Sequence, residues 1–366
     1  AIGTEACLGT ASTTADIAGT IAIGERAGYA ITTGSGNTMI GYLCGDAIQD
    51  GASNTLMGRH AGGSLTSQDH NTLLGWYCGD GLTGSNNVAI GSGALGDASA
   101  DVDNAVAIGK AALAAADSSN DDGVVAIGAM ALESFSSTDA NNGTIAIGYS
   151  AGITATTGLR ESILIGYQAG YGNNNSANIM IGNEAGKYMY GQLNTIIGHD
   201  AGLAAADDGA AGDKNTAVGS SSLKAITTGD QNTVMGYQAG TEINSGHENV
   251  AIGRSALDAA TSSGYNVAIS SNALGAVTAG SDFNIAIGYD AMNNSNGDVV
   301  HNNIAIGAYA MDGDGGFANY DNIFIGVNAG GGSWANNPSI RNTCVGSHAM
   351  DAAMDAGNDN TAFGYA

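Results

Sequence analysis

The sequence predicts an all-β fold: a parallel β-solenoid, or β-roll, of about 20 short coils. Three observations predict it. The phrase NTMIG at Asn37–Gly41 recurs as NTLMG from Asn54, NTLLG from Asn71, NVAIG from Asn87, NIMIG from Asn178, NTVMG from Asn232 and NIAIG from Asn303. The glycines that close these phrases run from Gly3 to Gly364 in about 21 copies, a mean period of about 18 residues. Residues before each glycine are apolar and suit strands, whereas those after it are rich in Gly, Asn, Asp, Ser and Thr and suit turns. A short period held over 366 residues means stacked coils, because no stretch breaks it long enough to hold a separate fold. The chain therefore reads as one repeat domain over 1–366. Opening and closing inside repeat phrases, it also reads as a segment of a longer fibre protein.

Within one coil, an asparagine comes first, as in Asn37, Asn54, Asn71, Asn215, Asn284 and Asn342. Stacked at one level, such residues can form a side-chain amide ladder with backbone bonds at the turn. Three apolar or β-branched residues follow, as in Val106-Ala107-Ile108, and these predict a short strand. Side chains alternate faces along a strand, so three apolar positions in a row predict burial of both faces. A charge at Ile252 would on that reading be a buried, unpaired carboxylate. A lone solenoid covers only its inward face, so the outward face needs a partner, and the simplest is another copy of the chain.

The anchor glycine ends the strand, where a backbone conformation or a close approach excludes a Cβ; Ser270 replaces it once. Two variable residues and a small one follow, for example Ala27, Ala61, Ala94 and Ala239. The small residue predicts a second short strand crossing close to the first, giving a flattened coil. Next comes Gly, Leu or Met, and then a polar loop whose length varies. Alanine-rich pieces at Ala111–Ala116 and Ala204–Ala206 are too short for a stable helix. One buried Ile-class side chain contributes roughly 1.5–3 kcal/mol, so a coil with two or three cannot stand alone while about 20 stacked coils can. Stacked at about 4.8 Å, they make a fibre on the order of 100 Å long.

Composition narrows the partners. The chain has 9 basic and 34 acidic residues, a net charge of −25, which disfavours nucleic acid and anionic membranes. No apolar run is long enough to span a bilayer as a helix, so membrane insertion is not expected. A single proline and glycine without a three-residue period exclude collagen.

The phrases NVAIG (Asn87–Gly91) and NAVAIG (Asn104–Gly109) resemble the head repeats of trimeric autotransporter adhesins. The longer NTVMGYQAG (Asn232–Gly240) and SILIGYQAG (Ser162–Gly170) look still more like bacteriophage tail-fibre repeats. The resemblance implies a left-handed parallel β-roll packed as a homotrimeric fibre. It also implies a function: the shaft or receptor-binding segment of a virion tail fibre, joined to other tail proteins and attaching to a host cell-surface glycan or protein. A bacterial trimeric surface adhesin is the alternative, and a polysaccharide-degrading tailspike a more distant one. Cys44 and Cys78 occupy the small-residue site, Cys7 follows it and Cys344 lies in a strand, so all four are expected as buried free thiols. Two coils separate Cys44 from Cys78, roughly 10 Å, beyond disulfide reach. Unpaired core thiols suit assembly in a reducing cytoplasm, which favours the phage fibre.

Motifs for chemistry are sparse. The sequence has no Walker loop, HExxH, GxSxG or CxxC, and its histidines lack ligand spacing, so no enzyme activity and no cofactor or metal are expected. The acidic pairs Asp121-Asp122 and Asp207-Asp208 and the Asp312-Gly313-Asp314 loop could hold calcium weakly, without the repeated pattern of calcium β-rolls. The candidate binding residues are aromatic. Tyr42, Trp76, Tyr149, Tyr167, Tyr237 and Tyr289 each follow an anchor glycine and predict a ridge of rings able to stack on sugar faces or to cover neighbouring coils and seams.

Overall fold

The computed structural model describes residues 1–9, 17–97, 101–116, 122–135, 143–154, 159–173, 175–204, 210–277, 279–293, 299–312, 319–332, 339–351 and 357–365. Two compact units divide the chain, Ala1–Ile181 and Gly182–Ala366. Both are built from the same coil.

The first unit holds ten three-residue strands: β1 (Ile21–Ile23), β2 (Thr38–Ile40), β3 (Thr55–Met57), β4 (Thr72–Leu74), β5 (Val88–Ile90), β6 (Val106–Ile108), β7 (Val125–Ile127), β8 (Ile145–Ile147), β9 (Ile163–Ile165) and β10 (Ile179–Ile181). Each pairs in parallel with the next in chain order, residue for residue, as Thr72 with Val88 and Leu74 with Ile90. The second unit repeats the arrangement with β11 (Thr195–Ile197), β12 (Thr216–Val218), β13 (Thr233–Met235), β14 (Val250–Ile252), β15 (Val267–Ile269), β16 (Ile285–Ile287), β17 (Ile304–Ile306), β18 (Ile323–Ile325), β19 (Thr343–Val345) and β20 (Thr361–Phe363). These too are parallel and in register. Among the described residues no helix forms, and each unit is a parallel β-solenoid of repeated short coils, as the period predicts.

The asparagines form the expected ladder. In the second unit it runs unbroken from Asn194 to Asn360, each Oδ1 accepting from the backbone N–H of the next asparagine at 2.8–3.1 Å. The amide nitrogens pin the loops: Asn232 Nδ2 donates to the Gly246 carbonyl at 2.8 Å and Asn249 Nδ2 to that of Ser263 at 2.8 Å. In the first unit the ladder covers Asn37, Asn54, Asn71 and Asn87. There it ends at Ala105, whose N–H still donates to Asn87 Oδ1. Apart from the exposed Asn360 these asparagines are buried, and their ladder satisfies backbone donors that would otherwise be orphaned inside the coil.

Two expectations need correction. Within one chain only the middle residue of each strand is buried (half-buried in β20); its two neighbours face outward and are half-buried or exposed. Ile252 is therefore an outward residue and Ala251 the buried one, so a charge at Ile252 would lie on the outer face. The second correction concerns the segment after the anchor glycine, which forms turns and not a second strand. Its second and fourth residues take positive φ, as in Leu43 (φ 53), Tyr77 (φ 53), Leu95 (φ 50) and Leu113 (φ 50), and that alternation is incompatible with an extended strand. The small third residue is nevertheless buried as expected, for instance Ala27, Ala61 and Ala94.

The core contains a pairing that periodicity alone does not show. Where the strand's middle residue is large (Met39, Leu56, Leu73, Leu164, Met180, Ile196, Val234 or Phe324), the fourth residue after the anchor is glycine. Where the middle residue is Ala89, Ala107, Ala126, Ala217, Ala251, Ala268, Ala286 or Ala305, that fourth position holds a buried Leu or Met. One large side chain per coil fills the same space from either wall. Among the described residues the coils of Ala22 and Ala146 pair a small residue with glycine. Met39 reaches over Gly28 in the first, and Leu132 and Leu164 close over Gly152 in the second.

Two features favour glycine at the anchor, although Ser270 stands there once. Gly58 has φ +140, and a Cβ there would collide with the backbone carbonyl of Gly75 in the next coil.

Candidate functional site

The six aromatic residues picked out by the sequence all lie on the surface, between 42% and 55% exposed. The fold explains this. Each stands immediately after an anchor glycine, where the chain leaves the strand and begins its turn, so stacked coils carry these side chains at equivalent points. Equivalent points do not make one continuous ridge, because intervening coils place Arg59, Ser92, Lys110 or Ala129 at the same position.

In the first unit, Tyr149 and Tyr167 on adjacent coils stack with centroids 5.6 Å apart and planes 9° from parallel. Tyr42 meets the His60 ring edge-on at 6.0 Å, and the Arg59 guanidinium lies 5.7 Å from the Tyr42 centroid. Trp76 stands at 81° to Tyr77, 5.0 Å between centroids, forming an L-shaped corner. In the second unit Tyr289 meets Tyr309 edge-to-face at 5.3 Å. A hydrogen bond to Asp290 holds the Tyr289 phenol above its ordinary range.

Several aromatic contacts escaped the sequence reading. His60 stacks on Tyr77 at 4.8 Å, His247 meets Tyr265 at 5.0 Å, and Tyr265 stacks on Phe283 at 4.7 Å. His301 stacks on Tyr320 at 5.6 Å. The signal was in the spacing. His60 precedes Tyr77, and Tyr265 precedes Phe283, by one local coil length, which places each pair on neighbouring coils. Half-exposed ring pairs of this kind contribute roughly 0.5–1.5 kcal/mol beyond their area.

Two surface cavities accompany these groups. One, of about 310 Å³, lies in the first unit against Trp76 and Tyr77, with Ser92, Gly93, Gly96, Asp97 and Ala111 as its remaining walls. The other, of about 470 Å³, lies in the second unit between Lys187, Tyr188, Lys224 and Glu242. Its cations are already engaged, Lys187 with Glu184 at 2.9 Å and Lys224 with Asp200 at 3.0 Å.

Among the described residues no group of three or more His, Cys, Asp or Glu side chains is placed to hold a metal ion. Asp122 Oδ1 accepts from the Asp103 N–H at 3.0 Å, and burial pushes the Asp312 carboxyl up. Asp121, Asp207, Asp208, Gly313 and Asp314 lie outside the described residues. All four cysteines are free. Cys44, Cys78 and Cys344 are buried, whereas Cys7 is only partly so. Burial pushes the Cys44 and Cys78 thiols up to about 12, which leaves them protonated and inert at neutral pH.

No protein-family model matches the chain, and no curated protein matches it. The finding is the fold itself: short parallel coils, an apolar outward strand face and a turn face carrying exposed rings.

Proposed function

We propose that this chain is a structural fibre segment, three copies of which pack side by side, and that it serves as the shaft or receptor-binding part of a phage tail fibre attaching to a host cell surface. The observation that carries the reading is the outward face of the strands. In the first unit ten strands offer two outward positions each, filled by Ile, Val, Leu, Met and Thr with no charged residue. The second unit's strands follow the same rule, with one Phe. On a chain of net charge −25, such an array is not a solvated surface. At about 4.8 Å per strand and roughly 10 Å per three residues, the footprint in either unit is on the order of 500 Å², the size of the largest apolar patch a soluble monomer carries, and patches of that size commonly mark interaction surfaces. Another copy of the same flat, regular face is its simplest complement, and the number three follows the resembled adhesin heads. Buried unpaired thiols favour assembly in a reducing compartment, and hence the phage fibre over the secreted adhesin.

Sedimentation equilibrium of the intact chain tests the assembly, with a trimer mass expected. A single Ile108→Lys change on the outward face should weaken it by bringing like charges together, while each chain keeps its coils. A stable monomer that shows no change on Ile108→Lys would overturn the reading. Binding of the assembled protein to candidate host cells tests the attachment role separately.

A further inference from the structure

The regular turn face is interrupted beside Trp76. In the two preceding coils the second residue after the anchor glycine is a ring, His60 and then Tyr77, each held outward by a positive φ of 55 and 53. In the next coil that residue is Gly93 (φ +66), and a Cβ added there would meet no atom within 4 Å. The fifth position, Asp80 in the coil of Tyr77, becomes Gly96, where a Cβ would crowd the Tyr77 carbonyl at 3.1 Å. Two side chains are thus missing next to an aromatic corner, and the gap is the 310 Å³ notch.

We propose that this notch binds one neutral or amino-substituted pyranose ring of a cell-surface saccharide, a site that rests on the attachment reading and gives it a ligand class. The Trp76 and Tyr77 rings, at 81° to one another, present an apolar corner to the C–H face of a sugar. Gly93 and Gly96 form an open floor. The Ser92 hydroxyl and the exposed Asp97 carboxylate supply the donor and acceptor that fix hydroxyl orientation. The volume is at the small end for ligand sites, which suits a single ring rather than an extended chain. Charge decides between sugars. Asp97 lines the notch and lies close enough to Asp80 for the two carboxylates to repel one another, so uronic acids, sialic acids and phosphorylated ligands are disfavoured. No strand residue lines the notch.

The chain has two tryptophans, Trp76 and Trp334, so a Trp334→Phe variant makes Trp76 the sole indole reporter. Titration with methyl glycosides of glucose, galactose, mannose, N-acetylglucosamine and glucosamine, and with galacturonate, should give a saturable fluorescence change for at least one non-acidic sugar. Gly93→Asn fills the notch with a residue that tolerates positive φ and should weaken that response at least tenfold. Trp76→Ala, an exposed position, should abolish saturation transfer from the sugar protons by NMR. Arg254→Ala, an exposed residue at the same coil position in the other unit, should change neither readout. The proposal is overturned if none of these sugars perturbs Trp76, if galacturonate binds best, or if Arg254→Ala weakens binding as much as Gly93→Asn. Sedimentation of the same samples reads assembly independently. A trimer blind to sugar would sink the site and leave the fibre standing, and a monomer that titrates would do the reverse.

Discussion

Leu73 occupies the space that a side chain at Gly79 would need: a Cβ built on Gly79 would lie 2.6 Å from Leu73 Cδ1. The two residues sit on opposite walls of one coil, and in nearly every coil one of the two positions is large and the other small. Core volume is therefore set coil by coil.

This pairing predicts a rescue. Leu73→Ala alone should cost about 2–5 kcal/mol, the usual range for a buried leucine whose cavity cannot collapse. Gly79→Leu alone should also destabilise, by overpacking. The double variant recreates the arrangement of Ala89 with Leu95 in the next coil, where leucine already tolerates φ 50. Urea unfolding of the four proteins should show the double variant more stable than either single one; additive losses would refute the pairing.

The asparagine ladder gives a second expectation. Asn249 accepts two hydrogen bonds from Asn266 and donates to Asn232 Oδ1 and the Ser263 carbonyl. Asn249→Ala should cost about 2–4 kcal/mol, because buried partners are left unsatisfied. Asn249→Asp keeps the shape but sets a carboxylate against the Asn232 oxygen, so it should be worse at pH 7 and partly recover toward pH 4. Thermal melts at the two pH values check this.

Much of this was legible from residues alone. The strand triplets, the asparagine level and the anchor glycines were all fixed by a repeat dense enough to average out local ambiguity. Outward exposure of Ile252 was not legible, because an apolar triplet has the same spelling whether its outer face meets water or another chain. The turn after the glycine was missed because its alternating positive φ is held by residues such as Leu43 and Tyr77, which carry no turn signature. The six candidate rings were placed on the surface, but the notch beside Trp76 depends on what Gly93 and Gly96 omit, and in a glycine-rich chain an omission is hard to read.

Ser270 replaces an anchor glycine at φ +112, a region L residues avoid. Ser270→Gly should stabilise the coil by ~1 kcal/mol through relief of that strain. Differential unfolding against the parent protein measures it; a loss of stability would show that the serine hydroxyl contributes more than the strain removes.

Alkaline pH should expose the buried thiols. In the unfolded chain Cys44 and Cys78 ionise near 9.0, while burial keeps the folded thiols protonated up to about 12. Below pH 9 both states hold the proton and burial has no effect; between 9 and 12 only the unfolded state releases it, so stability falls as pH rises. At pH 10 each thiol accounts for ~1.4 kcal/mol of that fall. A Cys44→Ala/Cys78→Ala protein should therefore lose about 3 kcal/mol less than the parent between pH 8 and pH 10, as read from urea midpoints. Equal losses would mean that the thiols ionise in place.

Because each coil fills its own interior, a coil can in principle be deleted or duplicated as a unit without leaving a hole in its neighbours. Recombination between near-identical phrases such as those at Asn37 and Asn54 would then change the length of the protein in whole steps, and length would be a trait that evolution can tune without redesigning a core. The coils of Ala22 and Ala146 are the exceptions. The first borrows Met39 from the next coil and the second borrows Leu132 and Leu164 from either side, so each can be inherited only together with the neighbours it borrows from.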